Sequence, residues 1–402
     1  MKTKQKDKSV KNIVDKKICS GCGACSVVCP QSCIDFIYGQ RYNYPRVDTS
    51  RCTNCSKCQQ VCSGKFLMEA DYDVSRIKKS ERNLKCYLIH STDEQIRHDG
   101  ASGGFITGLI LHLIENNQAD GAIVARTNPD RPLISQSLIA YDRQTLLECR
   151  ASRYAPVSSC TVLSEVLEKP GKYVFVGTPC MIESLCKLQD HFPELKDRIV
   201  LTIGLVCASM DSHENTKRYL LRNNVDLDKV RRITYRGGGW PGRFRVFGEN
   251  DEILLDNPLL EDSLIHLVGN EPYLRCLNCI DHWGNDADVV VSDPWCEEMV
   301  KSETKGRSGI MIRTARGNDA VESAINSGAM VADPISTEKM MNFNKHLIID
   351  SDSQFFIRTA IYQFLFFGRL IRIPNFIKQL FRGKHYCFFE TLKHRLDKKY
   401  YY

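Results

Sequence analysis

Nineteen cysteines stand in a chain of 402 residues, and eight of them fall into two near-copies of one spacing. The first run is Cys19, Cys22, Cys25 and Cys29, followed by Pro30; the second is Cys52, Cys55, Cys58 and Cys62, followed by Ser63. Three thiolates at intervals of three wrap one face of a four-iron cubane, and the fourth, carried on a short helix, crosses to the neighbouring cluster. The spacing therefore assigns one 4Fe-4S cluster to Cys19, Cys22, Cys25 and Cys62, and a second to Cys52, Cys55, Cys58 and Cys29. Zinc takes two separated ligand pairs, and unliganded thiols have no reason to repeat a spacing. Ser63 replaces a second proline but removes no ligand. Gly21 and Gly23 let backbone amides approach the sulfides. Two adjacent clusters exceed what a structural staple needs, so the chemistry indicated is the movement of single electrons.

Four more cysteines sit where strands end. Cys180 follows Gly177-Thr178-Pro179, Cys207 ends the apolar run from Ile203, and Cys276 and Cys279 form a CxxC pair. Loops at strand ends are where α/β proteins build sites. From spacing alone, a third metal or redox centre, a dithiol and buried structural cysteines all stay open. The turn Gly100 to Gly104 precedes an apolar helical stretch and offers bare amides suited to a phosphate; an ordinary turn uses the same residues. The loop Arg236 to Gly242 carries an exposed-looking Trp240 flanked by Arg236 and Arg243, suited to a planar or anionic ligand or to a plain hairpin. The ten histidines show no ligand spacing, so His98 and His282 read as surface or supporting polar groups. No dinucleotide glycine fingerprint follows a strand. Cys33, Cys86, Cys149, Cys160, Cys186, Cys296 and Cys387 lack partner spacing and read as incidental thiols.

These residues need elements to hold them. Residues 1–17 form a basic mobile lead, 18–70 a cysteine-rich unit held by its clusters, and 71–85 a charged linker. Over 86–345, short β-branched runs alternate with amphipathic segments. Strands are expected at Gly121 to Ala125, Lys172 to Val176, Ile199 to Val206 and Asp288 to Ser292, and helices at Phe105 to Glu115 and Ile182 to Leu188. The fold class is thus an α/β (α+β) catalytic region preceded by a small bacterial-type dicluster ferredoxin domain, with parallel and mixed sheets both open. Residues 346–402 form a basic aromatic tail.

The net charge of +7 comes from the ends. Residues 1–17 carry +5 and residues 353–402 carry +8, leaving −6 on the remainder, which excludes a basic nucleic-acid scaffold. In the tail, Ile357, Ile361, Phe364 and Leu365 share a helical face, with Arg358, Arg369 and Arg372 nearby and Pro374 interrupting. Such a segment lies on a membrane surface or packs on the body or on a partner subunit. The polar N-terminal residues have no signal-peptide pattern, and no run of ~18 uncharged apolar residues occurs. A cytoplasmic location is expected, with membrane contact at most peripheral.

In chain order, the ferredoxin repeat, Ala101 to Gly104, Tyr173 to Cys180, Gly204 to Cys207, Tyr235 to Gly242, Cys276 to Cys279, and Asp288 with Ser292 and Asp293 resemble the beta subunit family of coenzyme F420 hydrogenases and dehydrogenases. The likeness covers roughly residues 18 to 345. It implies an FAD beside a third 4Fe-4S cluster ligated by Cys180, Cys207, Cys276 and Cys279. Ser102, Gly103, Gly104, Thr178 and Pro179 would contact the flavin, with Arg236 and Trp240 closing over the site. Electrons would pass between the ferredoxin-type clusters and a bound two-electron acceptor, since a flavin takes them singly and hands them on as hydride. A ferredoxin or another subunit would be the redox partner. The alternative is an electron-transfer adaptor with no substrate of its own. Many members carry a Lys where this chain has Gly238, which removes one expected contact to an acidic deazaflavin.

Overall fold

The computed structural model describes residues 7–68, 83–260, 264–345, 347 and 361–366. Most of the expected linker, the tail residues Ile357, Arg358, Arg369, Arg372 and Pro374, and Cys387 lie outside the described residues.

In the cysteine-rich unit, two four-residue helices, Ala24–Val27 and Lys57–Gln60, each carry the third cysteine of a run, Cys25 and Cys58. Both begin after a residue in left-handed conformation, Gly23 and Ser56. An antiparallel hairpin of β1 (Ile34–Tyr38) and β2 (Asn43–Val47) joins the two halves.

The body is built on an eight-stranded sheet. Its strands are β3 (Lys85–Ser91), β4 (Gly121–Thr127), β5 (Ser135–Ala140), β6 (Tyr173–Gly177), β7 (Ile199–Leu205), and, after a separate small sheet, β11 (Val289–Ser292), β12 (Ser308–Ile312) and β13 (Met330–Ile335). The small sheet comprises β8 (Arg232–Thr234), β9 (Arg243–Phe247) and β10 (Ile253–Pro258). The large sheet runs β13-β3-β12-β11-β7-β6-β4-β5, and it is mixed. β4, β6, β7 and β11 are parallel to their neighbours in that set, whereas β5, β12, β3 and β13 pair antiparallel. The four expected strands are the parallel ones, largely buried and mostly apolar, with Arg126, Thr127, Thr202 and Ser292 among their polar members. The helix Phe105–Glu115 matches its expectation, and Pro179–Gln189 extends three residues further towards Cys180 at its start.

Alternation along the strands divides the core. Phe175, Val290 and Met311 face one side with Ile182 and Leu185, and that apolar cluster continues without a break through Val10, Ile13, Tyr42, Val61 and Leu67 of the ferredoxin unit. Val174, Ile203, Val289 and Val291 face the other side, against Leu109, Leu113 and Val321. The ferredoxin unit is therefore packed on one sheet face and shares its core. Polar groups buried in the seam fix the register. Asn43 accepts from the Tyr273 hydroxyl and donates its own amide N–H back to it, its Nδ2 donates to Ser158 Oγ at 2.9 Å, and its Oδ1 lies 3.1 Å from His213 Nε2.

The described part of the tail, residues 361–366, is helical and lies against this unit. Tyr362 donates to the Lys16 carbonyl at 3.0 Å, Gln363 Nε2 donates to the Leu67 carbonyl, and Lys16 Nζ donates to the Phe366 carbonyl. Tyr362 and Leu365 are buried, while Phe364 is 55% exposed. The packed face is thus set by the residues that reach those carbonyls, and it differs from the Ile361, Phe364 and Leu365 face expected from periodicity. No helix among the described residues is long and apolar enough to cross a membrane.

Candidate metal centres

The parallel strands bring the dispersed cysteines together. β6 and β7 are adjacent and parallel, so the segments that leave their carboxyl ends share one edge of the sheet. Thr178 caps the helix whose second residue is Cys180, and Pro179 occupies the first helical position, where its missing N–H costs nothing. Cys207 follows β7, with its amide donating to the His282 carbonyl at 3.0 Å. Cys276 and Cys279 bracket the end of the short helix Leu274–Leu277. All four thiols are held close enough to repel one another as thiolates. Burial, then Cys276, Cys180 and Cys279, push the Cys207 thiol well up. Burial pushes Cys180 up to about 12, with Cys279 adding to it. Thr178 Oγ1 lies 3.3 Å from Cys180 Sγ.

In the ferredoxin unit the same reasoning sorts the ligands. The Cys19 thiol is raised by burial and by Cys62 and Cys22, and that of Cys25 by burial and by Cys22, Cys19 and Cys62. Burial pushes Cys58 up to about 11, and its thiol neighbours are Cys55, Cys29 and Cys52. These neighbourhoods group Cys19, Cys22, Cys25 and Cys62 on one side and Cys29, Cys52, Cys55 and Cys58 on the other, with Cys58 also acting on Cys25. Cys29, Cys52, Cys55 and Cys58 line a shallow hollow together with Cys33. Beside Cys62, the Ser63 hydroxyl is buried without a partner among the described residues. The Gly21 amide donates to Cys19 Sγ at 3.3 Å, and the Val10 amide to Cys58 Sγ at 3.2 Å.

A 4Fe-4S cluster fits these surroundings: thiols converge, amides point at sulfur, and space is reserved. No three His, Cys, Asp or Glu side chains among the described residues close on a point as ligands of one ion would.

Two cysteines read as incidental stand inside these sites. Cys160 is fully buried, its amide donates to the Cys22 carbonyl at 3.0 Å, and its thiol is the leading influence holding Cys22 down at about 6. Cys33 Sγ lies 3.4 Å from Cys29 Sγ. Neither belongs to a repeated spacing; the fold brings Cys160 in from far along the chain, whereas Cys33 lies four residues from Cys29. Arg275 was also missed. It is 2% exposed, and its guanidinium donates to the carbonyls of Asn278 and Ser63.

Of the residues expected to hold a flavin, the turn Ala101 to Gly104, Arg236 and Trp240 gather around Asp293 and Ser308, whereas Thr178 and Pro179 stand at the start of the Cys180 helix. Asp293 follows β11, Ser308 opens β12, and the turn Ala101 to Gly104 follows β3 and a short helix. Arg236 spends all five N–H groups here: on Asp293 Oδ1 and Oδ2 at 2.9 and 3.0 Å, on Tyr154 Oη, and on the carbonyls of Pro241 and Ala101. Trp240 Nε1 donates to Asp293 at 2.9 Å. With 4% exposure Trp240 is an interior residue, against the exposed position expected from its glycine-rich loop. Ser102 Oγ lies 2.7 Å from Ser308 Oγ, which also accepts the Gly103 amide at 3.1 Å. These polar atoms are engaged within the protein, so the junction as folded does not fit a flavin phosphate.

Comparison with known proteins follows these outlines. The profile of the coenzyme F420 hydrogenase/dehydrogenase beta subunit N-term matches residues 86–164 and that of its C terminus residues 171–338, together more than half of the chain. A 4Fe-4S dicluster domain profile matches residues 18–65. The coenzyme F420-dependent sulfite reductase of Methanocaldococcus jannaschii is 28% identical over 323 residues, 76% of this chain; the chain spans 46% of that relative's length. The coenzyme F420 hydrogenase subunit beta of Methanosarcina barkeri is 24% identical over 264 residues, covering 64% of this chain and 84% of the relative. A chain from the F420-reducing [NiFe] hydrogenase complex of Methanosarcina barkeri superposes with a TM-score of 0.55 at 22% identity, over 74% of this chain and 98% of that one, a likeness of fold. With both halves of its body matched in order behind a dicluster domain, the chain belongs to the coenzyme F420 hydrogenase/dehydrogenase beta subunit family.

Proposed function

We propose that this chain is the iron–sulfur electron-transferring component of an oxidoreductase. Electrons move singly through the two ferredoxin-type clusters and a third 4Fe-4S cluster at Cys180, Cys207, Cys276 and Cys279, to or from a two-electron organic acceptor of the deazaflavin class. The observation that carries this reading is the approach of two quartets across the seam: Cys19 and Cys22 of the first are both within electrostatic reach of Cys180. The outer quartet includes the exposed Cys55. It is the natural place for a ferredoxin or a partner subunit to exchange electrons, in the cytoplasm.

A flavin would supply conversion between single electrons and hydride. The donors of Arg236, Trp240 and Gly103 are already engaged within the protein. That engagement favours a second reading, an adaptor that hands electrons to a partner enzyme holding the substrate.

The deciding experiment is anaerobic purification with iron, sulfide and flavin quantitation. About twelve irons per chain support three clusters; about eight would sink the third. One equivalent of flavin together with reduction of a deazaflavin by the isolated chain selects the enzyme. Twelve irons with neither selects the adaptor. Cys276→Ala is expected to lower the iron content by about four atoms.

A further inference from the structure

We propose that Arg275 is a shared electrostatic control on two iron–sulfur centres. It raises the reduction potentials of the Cys19/Cys22/Cys25/Cys62 cluster and the Cys180/Cys207/Cys276/Cys279 cluster together, and leaves the Cys29/Cys52/Cys55/Cys58 cluster unaffected. The inference rests on the third-cluster reading above.

Arg275 immediately precedes Cys276, yet it reaches across the seam. Its Nη2 donates to the carbonyl of Ser63, the neighbour of Cys62, at 3.3 Å, and its Nη1 to the carbonyl of Asn278, inside the CxxC pair, at 3.0 Å. Its guanidinium carbon stands 4.5 Å from the centre of the Phe66 ring. These contacts pin a planar cation between two ligand sets. The hollow at Cys29, Cys52, Cys55 and Cys58 is walled instead by Ser9, Pro30, Gln31 and Val47, with Arg275 not among its lining residues.

The physical consequence follows from charge. A 4Fe-4S cluster with four thiolate ligands is anionic and becomes more so when reduced, and cluster potentials respond to nearby charge and burial. A fixed cation in a dry interior favours the reduced state of each cluster beside it. The relation is mutual, because anionic clusters on both sides offset the cost of burying the guanidinium.

The test uses the full chain, purified anaerobically, with iron counted before an EPR-monitored redox titration. Arg275→Gln should retain its iron and move the midpoint potentials of two centres to more negative values, leaving the third in place. Arg275→Met keeps the stem against Phe66 without the charge and must give the same pattern; it decides the matter if the Gln variant does not assemble. Arg275→Lys should restore most of the shift. Unchanged midpoints in both neutral variants, or an equal shift of all three centres, would overturn the proposal. A wild-type count of about eight irons would mean that the third-cluster reading has failed. Arg275 would then be judged on the first cluster's midpoint against that of the outer one.

Discussion

Single residues decide whether the two parts can approach. Gly23 has φ +92°, and a Cβ there would fall 2.3 Å from Thr161 Cγ2. Gly23→Ala therefore combines left-handed strain of about 1–3 kcal/mol with a clash that no staggered shift of Thr161 relieves cheaply. The variant is expected to melt lower and retain less iron, both measurable on the same sample. Arg236 shows the opposite economy, with every donor engaged by protein. Arg236→Lys cannot replace five donors with three, so a clear fall in melting temperature is expected. A variant that lost flavin while keeping wild-type stability would overturn that structural role. The eight ferredoxin cysteines were legible because their spacing is local. Arg275 and Cys160 were not, because nothing in sequence distinguishes an arginine or thiol aimed at a partner far along the chain; Cys33 was missed because it stands outside the repeated spacing although Cys29 is four residues away. Trp240 was misplaced because flanking glycines suggest a loop tip, whereas Asp293 draws its indole inward.

Elements explain how scattered residues converge. Parallel strands β6, β7 and β11 send their carboxyl ends to one edge, and these strands were the ones visible in the sequence as unbroken apolar runs. Of the antiparallel strands, β3 and β13 escaped notice because they mix exposed and buried positions. The hairpin of β1 and β2 carries the clearest pH dependence. His213, seated against Asn43, is pushed down to about 4 by burial. The unfolded chain binds this proton near pH 6.5 and the folded chain does not, so the stability is fully present above that pH. It is lost progressively as pH falls towards 4, at a cost of about 2 kcal/mol at pH 5. His213→Gln should flatten this part of the stability profile; an unchanged difference in unfolding free energy between pH 7 and pH 5 would exclude the assignment.

Over the whole molecule, the apolar core runs through the ferredoxin unit and one face of the sheet, and residues 361–366 strap the far side of that unit. Tyr362→Ala removes a buried ring and its bond to the Lys16 carbonyl. The N-terminal helix Lys11–Asp15 should then exchange its amide hydrogens faster, with little change in the exchange of β6 and β7. The seam has a further consequence for rate. Two halves that share one core have no encounter to complete before an electron crosses between them. Added viscogen or salt should therefore leave the internal hand-off unchanged and slow only the meeting with an external partner at the outer quartet, which makes delivery from outside the step that solution conditions can govern.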